Sequence, residues 1–124
     1  MHPVDVLQSR LENVYGLEEK QDEHGIAQLQ LAIGVARRFI GDVASQEAAA
    51  NESARPVALR HLARIEKMAR SDAGRKVAKR FAVFVADAID PMPVRHVKQF
   101  VSKKLPRLLP LMSPGRRAEV TTLR

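Results

Sequence analysis

The stretch that most constrains the fold runs from residue 22 to residue 50. Between Glu23 and Arg37 it holds no permanently charged side chain. On a helix its apolar residues recur at alternating steps of three and four, which places them on one continuous face. We therefore expect a long central helix that its neighbours bury on most sides. The apolar face consists of Ile26, Leu29, Ile33, Ala36, Ile40 and Val43, widened by Leu31, Val35 and Phe39.

Small residues spaced seven apart follow the opposite side of the same helix. Glycine inside a helix costs about 1 kcal/mol relative to alanine, so two glycines in one column suggest a close approach by another helix. The column therefore predicts either a helix-packing contact or a dimer contact, and glycines tolerated by chance are the alternative. This small-residue column consists of Ala27, Gly34, Gly41 and Ala48.

Four further amphipathic helices are predicted from apolar periodicity and from Pro and Gly breaks, at about 3–14, 56–70, 75–89 and 93–104. The third of these is expected to bury Val77, Phe81, Phe84, Val85 and Ala88. Asp22 is the expected N-cap of the central helix.

The predicted fold is all-α, a single-domain bundle of about five helices around the central helix. Only 4% of residues are aromatic and none is Trp, so the core must be aliphatic, which suits helix-on-helix packing better than a sheet. The bundle is predicted to span 1–112, and 113–124 to form a polar C-terminal tail.

No pattern of catalytic or metal-binding residues is present in the sequence. The four histidines lie on different predicted elements, and no spacing typical of a zinc site joins them to each other or to Glu. There is no P-loop, no dinucleotide-binding glycine pattern and no nucleophile elbow. We therefore predict no catalytic residue, no metal, no cofactor and no enzymatic activity. The histidines are His2, His24, His61 and His96.

Cysteine content and hydropathy bear on the compartment. The chain has no Cys, which excludes disulfides and is compatible with a reducing compartment. The N-terminal residues lack the basic start and apolar run of a signal peptide, and no apolar stretch is long enough for a membrane span. The expected location is cytoplasmic.

The two halves of the chain carry opposite charge. Residues 1–54 hold nine acidic and four basic side chains, and residues 55–124 hold five acidic and 17 basic ones. The halves thus carry −5 and +12, which give the net charge of +7. Such asymmetry points to a polyanion, a membrane surface or an acidic protein surface as a partner.

The candidate polyanion-binding residues lie on the outward faces of the predicted helices 56–70 and 75–89. The short Gly-containing break between these helices invites comparison with a helix-turn-helix, but the second helix lacks the Asn, Gln, Ser or Thr side chains that read bases. Its Lys and Arg side chains suit phosphates better. The candidate residues are Arg60, Arg64, Lys67, Lys76, Lys79 and Arg80.

These patterns favour a non-enzymatic binding module whose basic half contacts nucleic acid without strong sequence preference. The alternative is a protein–protein adaptor or regulator that docks on an acidic partner or self-associates as a homodimer. A third interpretation is a solvated basic face, partly neutralised by the acidic half of the same chain.

Overall fold

The computed structural model describes residues 2–50, 57–90 and 94–122. Within these ranges the chain forms six α-helices, three short 3₁₀ turns and no strand, so the predicted all-α bundle is confirmed. The predicted helix starts at Pro56 and Pro93 lie outside the described residues. The helices are α1 (Pro3–Gly16), α2 (Glu23–Ala50), α3 (Val57–Arg70), α4 (Asp72–Phe81), α5 (Arg95–Leu108) and α6 (Pro114–Thr122). The 3₁₀ turns are Glu18–Lys20, Val85–Ala88 and Leu109–Leu111.

Side-chain caps determine where α1 and α2 begin. His2 Nδ1 accepts a hydrogen bond from the Val4 amide at 3.2 Å. Asp22 Oδ1 accepts one from the Gly25 amide at 2.7 Å, which confirms the predicted N-cap. Each cap satisfies a backbone donor that has no partner within the helix.

The first two helices form an antiparallel hairpin, which is the most extensive helix–helix contact in the described residues. At the open end of the hairpin the ring of His2 stacks on Phe39, with their centroids 5.7 Å apart. At the closed end the side-chain amide of Gln21 donates to the Val14 carbonyl at 3.1 Å. The apolar stripe of α1 is buried and consists of Val4, Leu7, Leu11 and Val14.

The core forms where α2 meets α1, α3 and the Val85–Ala88 turn, and α5 covers α3 from its other side. It is aliphatic, as the composition predicts. Its largest fully buried side chains include Leu7, Leu29, Leu62, Ile65, Ile89, Leu105, Leu108 and Met112.

The outer side of α2 faces solvent, so the expectation that α2 is buried on most sides is wrong. Leu31 is 68% exposed and Val35 is 47% exposed, while Phe39 is half-buried beneath His2. The buried residues of α2 form a single stripe, because every neighbouring element packs against that one side. That stripe consists of Gly25, Leu29, Ala32, Ile33, Ala36, Ile40 and Ala44.

The helix predicted at 75–89 begins and ends at other residues in the structure, so both predicted ends are wrong. Ser71 Oγ accepts a hydrogen bond from the Gly74 amide at 3.1 Å, so α4 begins at Asp72. It ends at Phe81 because Ala82 adopts the left-handed conformation, with φ 55° and ψ 38°. The apolar run that follows is buried without being helical, and Phe81 and Phe84, predicted to be buried, are only half-buried. The buried residues of that run are Val83, Val85, Ala86, Ala88 and Ile89.

Residues predicted to form a polar tail contain the sixth helix. Val120 of α6 is only 2% exposed, and the Arg116 guanidinium donates to the Ile89 carbonyl at 3.1 Å. Arg116 also pairs with Asp90 at 3.5 Å and with Glu119 at 2.5 Å. One apolar and one charged side chain therefore anchor α6 to the bundle.

Candidate polyanion-binding surface

Two of the six predicted binding residues hold the fold together. Arg64 Nη1 lies 2.6 Å from Asp5 Oδ1, and Arg64 Nε donates to Gln8 Oε1 at 3.1 Å. The Lys76 ammonium lies 5.0 Å from the centroid of the Tyr15 ring, a cation–π distance. Arg64 therefore ties α3 to α1, and Lys76 ties α4 to α1.

The other four predicted residues are exposed. Arg60, Lys67 and Lys79 make no ion pair within the described residues, and Arg80 lies over the ring of Phe81 at 5.5 Å. Their helices, α3 and α4, meet at Ser71. These four cations are thus available to a ligand, and their use as a binding surface stays a prediction.

A ring cluster lies beside Arg64, at the open end of the α1–α2 hairpin. The centroids of His2 and His61 are 4.9 Å apart, and Phe39 lies 5.4 Å from His61. Burial lowers the pKa of His61 below its usual value, and the nearby guanidinium groups of Arg64 and Arg60 lower it further. The hydrogen bond from Arg64 likewise lowers the pKa of Asp5.

The lowered pKa of His61 predicts a loss of stability in mild acid. The folded state binds the His61 proton less tightly than the unfolded state does, so His61 stabilises the fold above the ordinary pKa of 6.5 and loses this contribution as pH falls below it. Between about pH 7.5 and about pH 5, the melting temperature of the His61→Gln variant should fall less than that of the wild type. The exposed His24 provides a control, His24→Gln, which should behave like the wild type. Identical pH profiles for wild type and His61→Gln would contradict the assignment.

A groove of about 1030 Å³ lies between α3 and α5. Three exposed cations line it, Arg95, Lys98 and Lys103, and no carboxylate of the described residues does. The sequence gives no sign of this groove, which exists only because α5 packs beside Leu59 of α3. The remaining lining residues are His96, Gln99, Phe100 and Ser102.

An ion pair between a buried carboxylate and a partly exposed lysine fixes α5 in place beside this basic groove. The Lys104 ammonium donates to Glu66 Oε2 at 3.0 Å, and it lies 4.8 Å from the centroid of the Phe100 ring. The side chain of Glu66 is 9% exposed and that of Lys104 is 35% exposed. Lys104 is therefore a structural cation, whereas its neighbour Lys103 is free in the described part of the chain.

No family model matches this sequence. No curated protein and no solved structure matches it either.

The small-residue column lies on the open side of α2. Ala27 and Ala48 are exposed, and Gly34 and Gly41 are half-exposed. A Cβ atom at Gly34 would meet nothing within 4 Å. No helix of the described chain packs closely on Gly34, and a dimer contact along the column stays a prediction.

Among the described residues, no group of three or more His, Asp or Glu side chains is placed to hold a metal ion. Across the same ranges, no helix is both long and apolar enough to cross a membrane.

Proposed function

We propose that this protein is a small, non-enzymatic helical module that binds a polyanion through the basic surface of its C-terminal half. The polyanion is nucleic acid, bound without strong sequence preference. We place this activity in the cytoplasm, because a chain without cysteine suits a reducing compartment.

One observation carries the proposal: most of the described cations of the C-terminal half have no anionic partner among the described residues. Fifteen Lys and Arg side chains lie in residues 57–90 and 94–122. Within the described ranges, only Arg64, Lys104 and Arg116 pair with a carboxylate. The other twelve remain uncompensated and create a positive potential that attracts phosphates.

The carboxylates of this half do not neutralise its surface, because most of them have partners within the same half. Asp72 is the exception, and it lies in the first turn of α4, where it complements the positive end of the helix dipole. Glu66, Asp90 and Glu119 pair with cations, and Asp87 accepts a hydrogen bond from the Ser113 amide.

Exposed Lys and Arg side chains favour phosphate contacts over base recognition. Each phosphate that they neutralise releases condensed counterions, which supplies affinity that depends on salt and not on sequence. The sequence of α4 contains no Asn, Gln, Ser or Thr, the uncharged side chains that pair with base edges. Binding should therefore differ little between unrelated sequences.

Salt-dependent binding to labelled oligonucleotides tests the proposal. Fluorescence anisotropy between about 50 and 200 mM salt should give a log–log slope of about −0.7 to −0.9 per phosphate contacted. The triple replacement of Arg95, Lys98 and Lys103 by Gln removes the cations of the α3–α5 groove. A second triple replacement, of Arg75, Lys79 and Arg80, removes those of α4. At least one of these variants should weaken binding and flatten the slope by about 2.

The matched control removes the same charge from the other half of the chain. Replacing Arg10, Lys20 and Arg38 by Gln takes three exposed cations from residues 1–50 and should leave the slope unchanged. An equal effect of all three variants would mean that net charge alone drives binding. If the wild type binds neither DNA nor RNA at about 50 mM salt and micromolar concentration, the nucleic-acid function is wrong. The basic surface would then belong to an acidic protein partner or to solubility.

A further inference from the structure

The most exposed large apolar side chains of α2 border a groove on α1. Leu31 is 68% exposed and Val35 is 47% exposed, one helical turn apart on the same face of α2. A cavity of about 250 Å³ lies between them and α1. This groove, called the α1–α2 groove below, is lined by Pro3, Val6, Arg10, Gln28, Leu31, Ala32 and Val35.

Two parallel ridges form the walls of the α1–α2 groove. Pro3, Val6 and Arg10 follow one another at steps of three and four along α1. Gln28, Leu31 and Val35 repeat the same spacing along α2. Each spacing places its residues along one face of its helix. The trough between two such ridges is the surface into which the apolar side chains of a third helix pack.

The length of the groove suits a short helix. From Gln28 to Val35 the axis of α2 rises about 10 Å, or about two turns. A helix lying along it presents apolar side chains at positions i, i+3 or i+4, and i+7, the pattern of helix-in-groove recognition. The first half of α2, which has no permanent charge between Glu23 and Arg37, adds no charged side chain to this face.

The one charged residue that lines the groove is positive. Arg10 is the only charged residue in its lining, and it makes no ion pair among the described residues. Arg38 is exposed and lies one turn beyond Val35, near the open end of the hairpin where His2 stacks on Phe39. Because α1 and α2 are antiparallel, Arg10 and Arg38 flank opposite ends of the groove. An occupant with acidic side chains beside its apolar stripe would complement both.

A second copy of this chain fits the small-residue column beside the groove poorly. The small-residue column has its midpoint between Arg37 and Arg38. A two-fold contact centred on the column would therefore bring the guanidinium groups of both copies together, and such like-charge contacts are unfavourable.

We infer that the α1–α2 groove binds an amphipathic helix of another protein, one that carries acidic residues beside its apolar stripe. The apolar stripe of that helix packs against Leu31, Val35 and Val6. Its carboxylates contact Arg10 and Arg38. This surface lies on the N-terminal half, so it is separate from the proposed polyanion-binding surface and does not depend on it.

Amide chemical shifts of the full chain, titrated with model peptides, test the inference. The probe is a peptide of about 16 residues with leucines at i, i+3, i+4 and i+7 and glutamates on its remaining face. It should shift amides of α1 and α2 around the groove. A lysine-for-glutamate twin should bind more weakly, and a twin with glutamines in place of the leucines should lose the α1–α2 shifts.

Three variants make the test specific. Leu31→Glu should weaken binding of the leucine–glutamate peptide about tenfold or more. Leu17→Glu is the matched control, since Leu17 is 43% exposed but does not line the groove, and it should bind like the wild type. Arg10→Glu should weaken binding of the acidic peptide about fivefold and should strengthen binding of its lysine twin.

Several results would overturn the inference. The first is an absence of amide shifts at peptide concentrations up to about 1 mM. Such a result would mean that the affinity is below that expected of even a weak specific contact. The second is shifts confined to residues 57–122 and insensitive to Leu31→Glu, which would mean attraction to the basic surface alone. The third is a wild-type dimer that Leu31→Glu dissociates in sedimentation, which would make a second copy the occupant.

Discussion

Replacing Lys104 with methionine should destabilise the protein by about 2 kcal/mol, because it leaves the carboxylate of Glu66 buried without its cation, and the partial exposure of Lys104 moderates the loss. Glu66 is the one buried charged residue in the described part of the chain, with 7% of the whole residue exposed. Methionine keeps the unbranched stem that packs between α3 and α5 and removes only the ammonium. The loss should appear as a lower urea midpoint for the helical circular-dichroism signal.

Two further variants separate charge burial from lost packing. Lys103→Met changes the exposed neighbouring lysine and should stay within about 0.5 kcal/mol of the wild type. The double variant Glu66→Met, Lys104→Met contains no buried charge, and it should recover most of the loss, since a buried ion pair is often replaceable by apolar side chains of similar size. A Lys104→Met variant as stable as the wild type would mean that water reaches Glu66 in solution.

Local signals in the sequence were sufficient for α1, α2 and α3. Their apolar stripes follow the helical period, and the caps at His2 and Asp22 involve residues a few positions apart. Such interactions require no knowledge of the rest of the fold. The predicted starts and ends of these helices accordingly agree with the structure to within a few residues wherever it describes them.

Long-range contacts explain where the sequence was insufficient. An alanine, not the usual glycine, ends α4 in the left-handed conformation, so nothing local marks the end at Ala82. The helix α6 has a single buried apolar residue, Val120, and its anchor Arg116 reaches Ile89 and Asp90, which lie far away in the sequence. No periodicity could reveal such contacts.

The same limit applies to the candidate polyanion-binding surface. Periodicity predicts that Arg64 and Lys76 face outward on their helices. In the structure both side chains contact α1, which packs against that side of the helices. The cations of α5 become a groove only through the packing of α5 beside Leu59. The apolar face of α2 is wider than the surface that the other helices cover. The sequence alone does not indicate which part of that face remains exposed to solvent.

Replacing Gly74 with alanine should cost about 3 kcal/mol, the upper end of what overpacking costs. Gly74 lies in the first turn of α4, directly after the corner with α3 at Ser71. A Cβ atom there would lie 2.3 Å from the Met68 carbonyl oxygen and 2.8 Å from that of Ala69. Both oxygens belong to the backbone, so no side-chain rotation relieves the clash and the corner between the helices has to open.

Gly34→Ala is the matched control, and its effect should have the opposite sign. A Cβ at Gly34 meets nothing within 4 Å, so alanine removes only the helix penalty of glycine and should stabilise the chain by about 1 kcal/mol. Thermal and urea unfolding of both variants, each at several protein concentrations, measures the difference. A stable Gly74→Ala variant would contradict the tight corner. A Gly34→Ala variant whose stability falls, and falls with dilution, would instead show that a second copy packs on the small-residue column of α2.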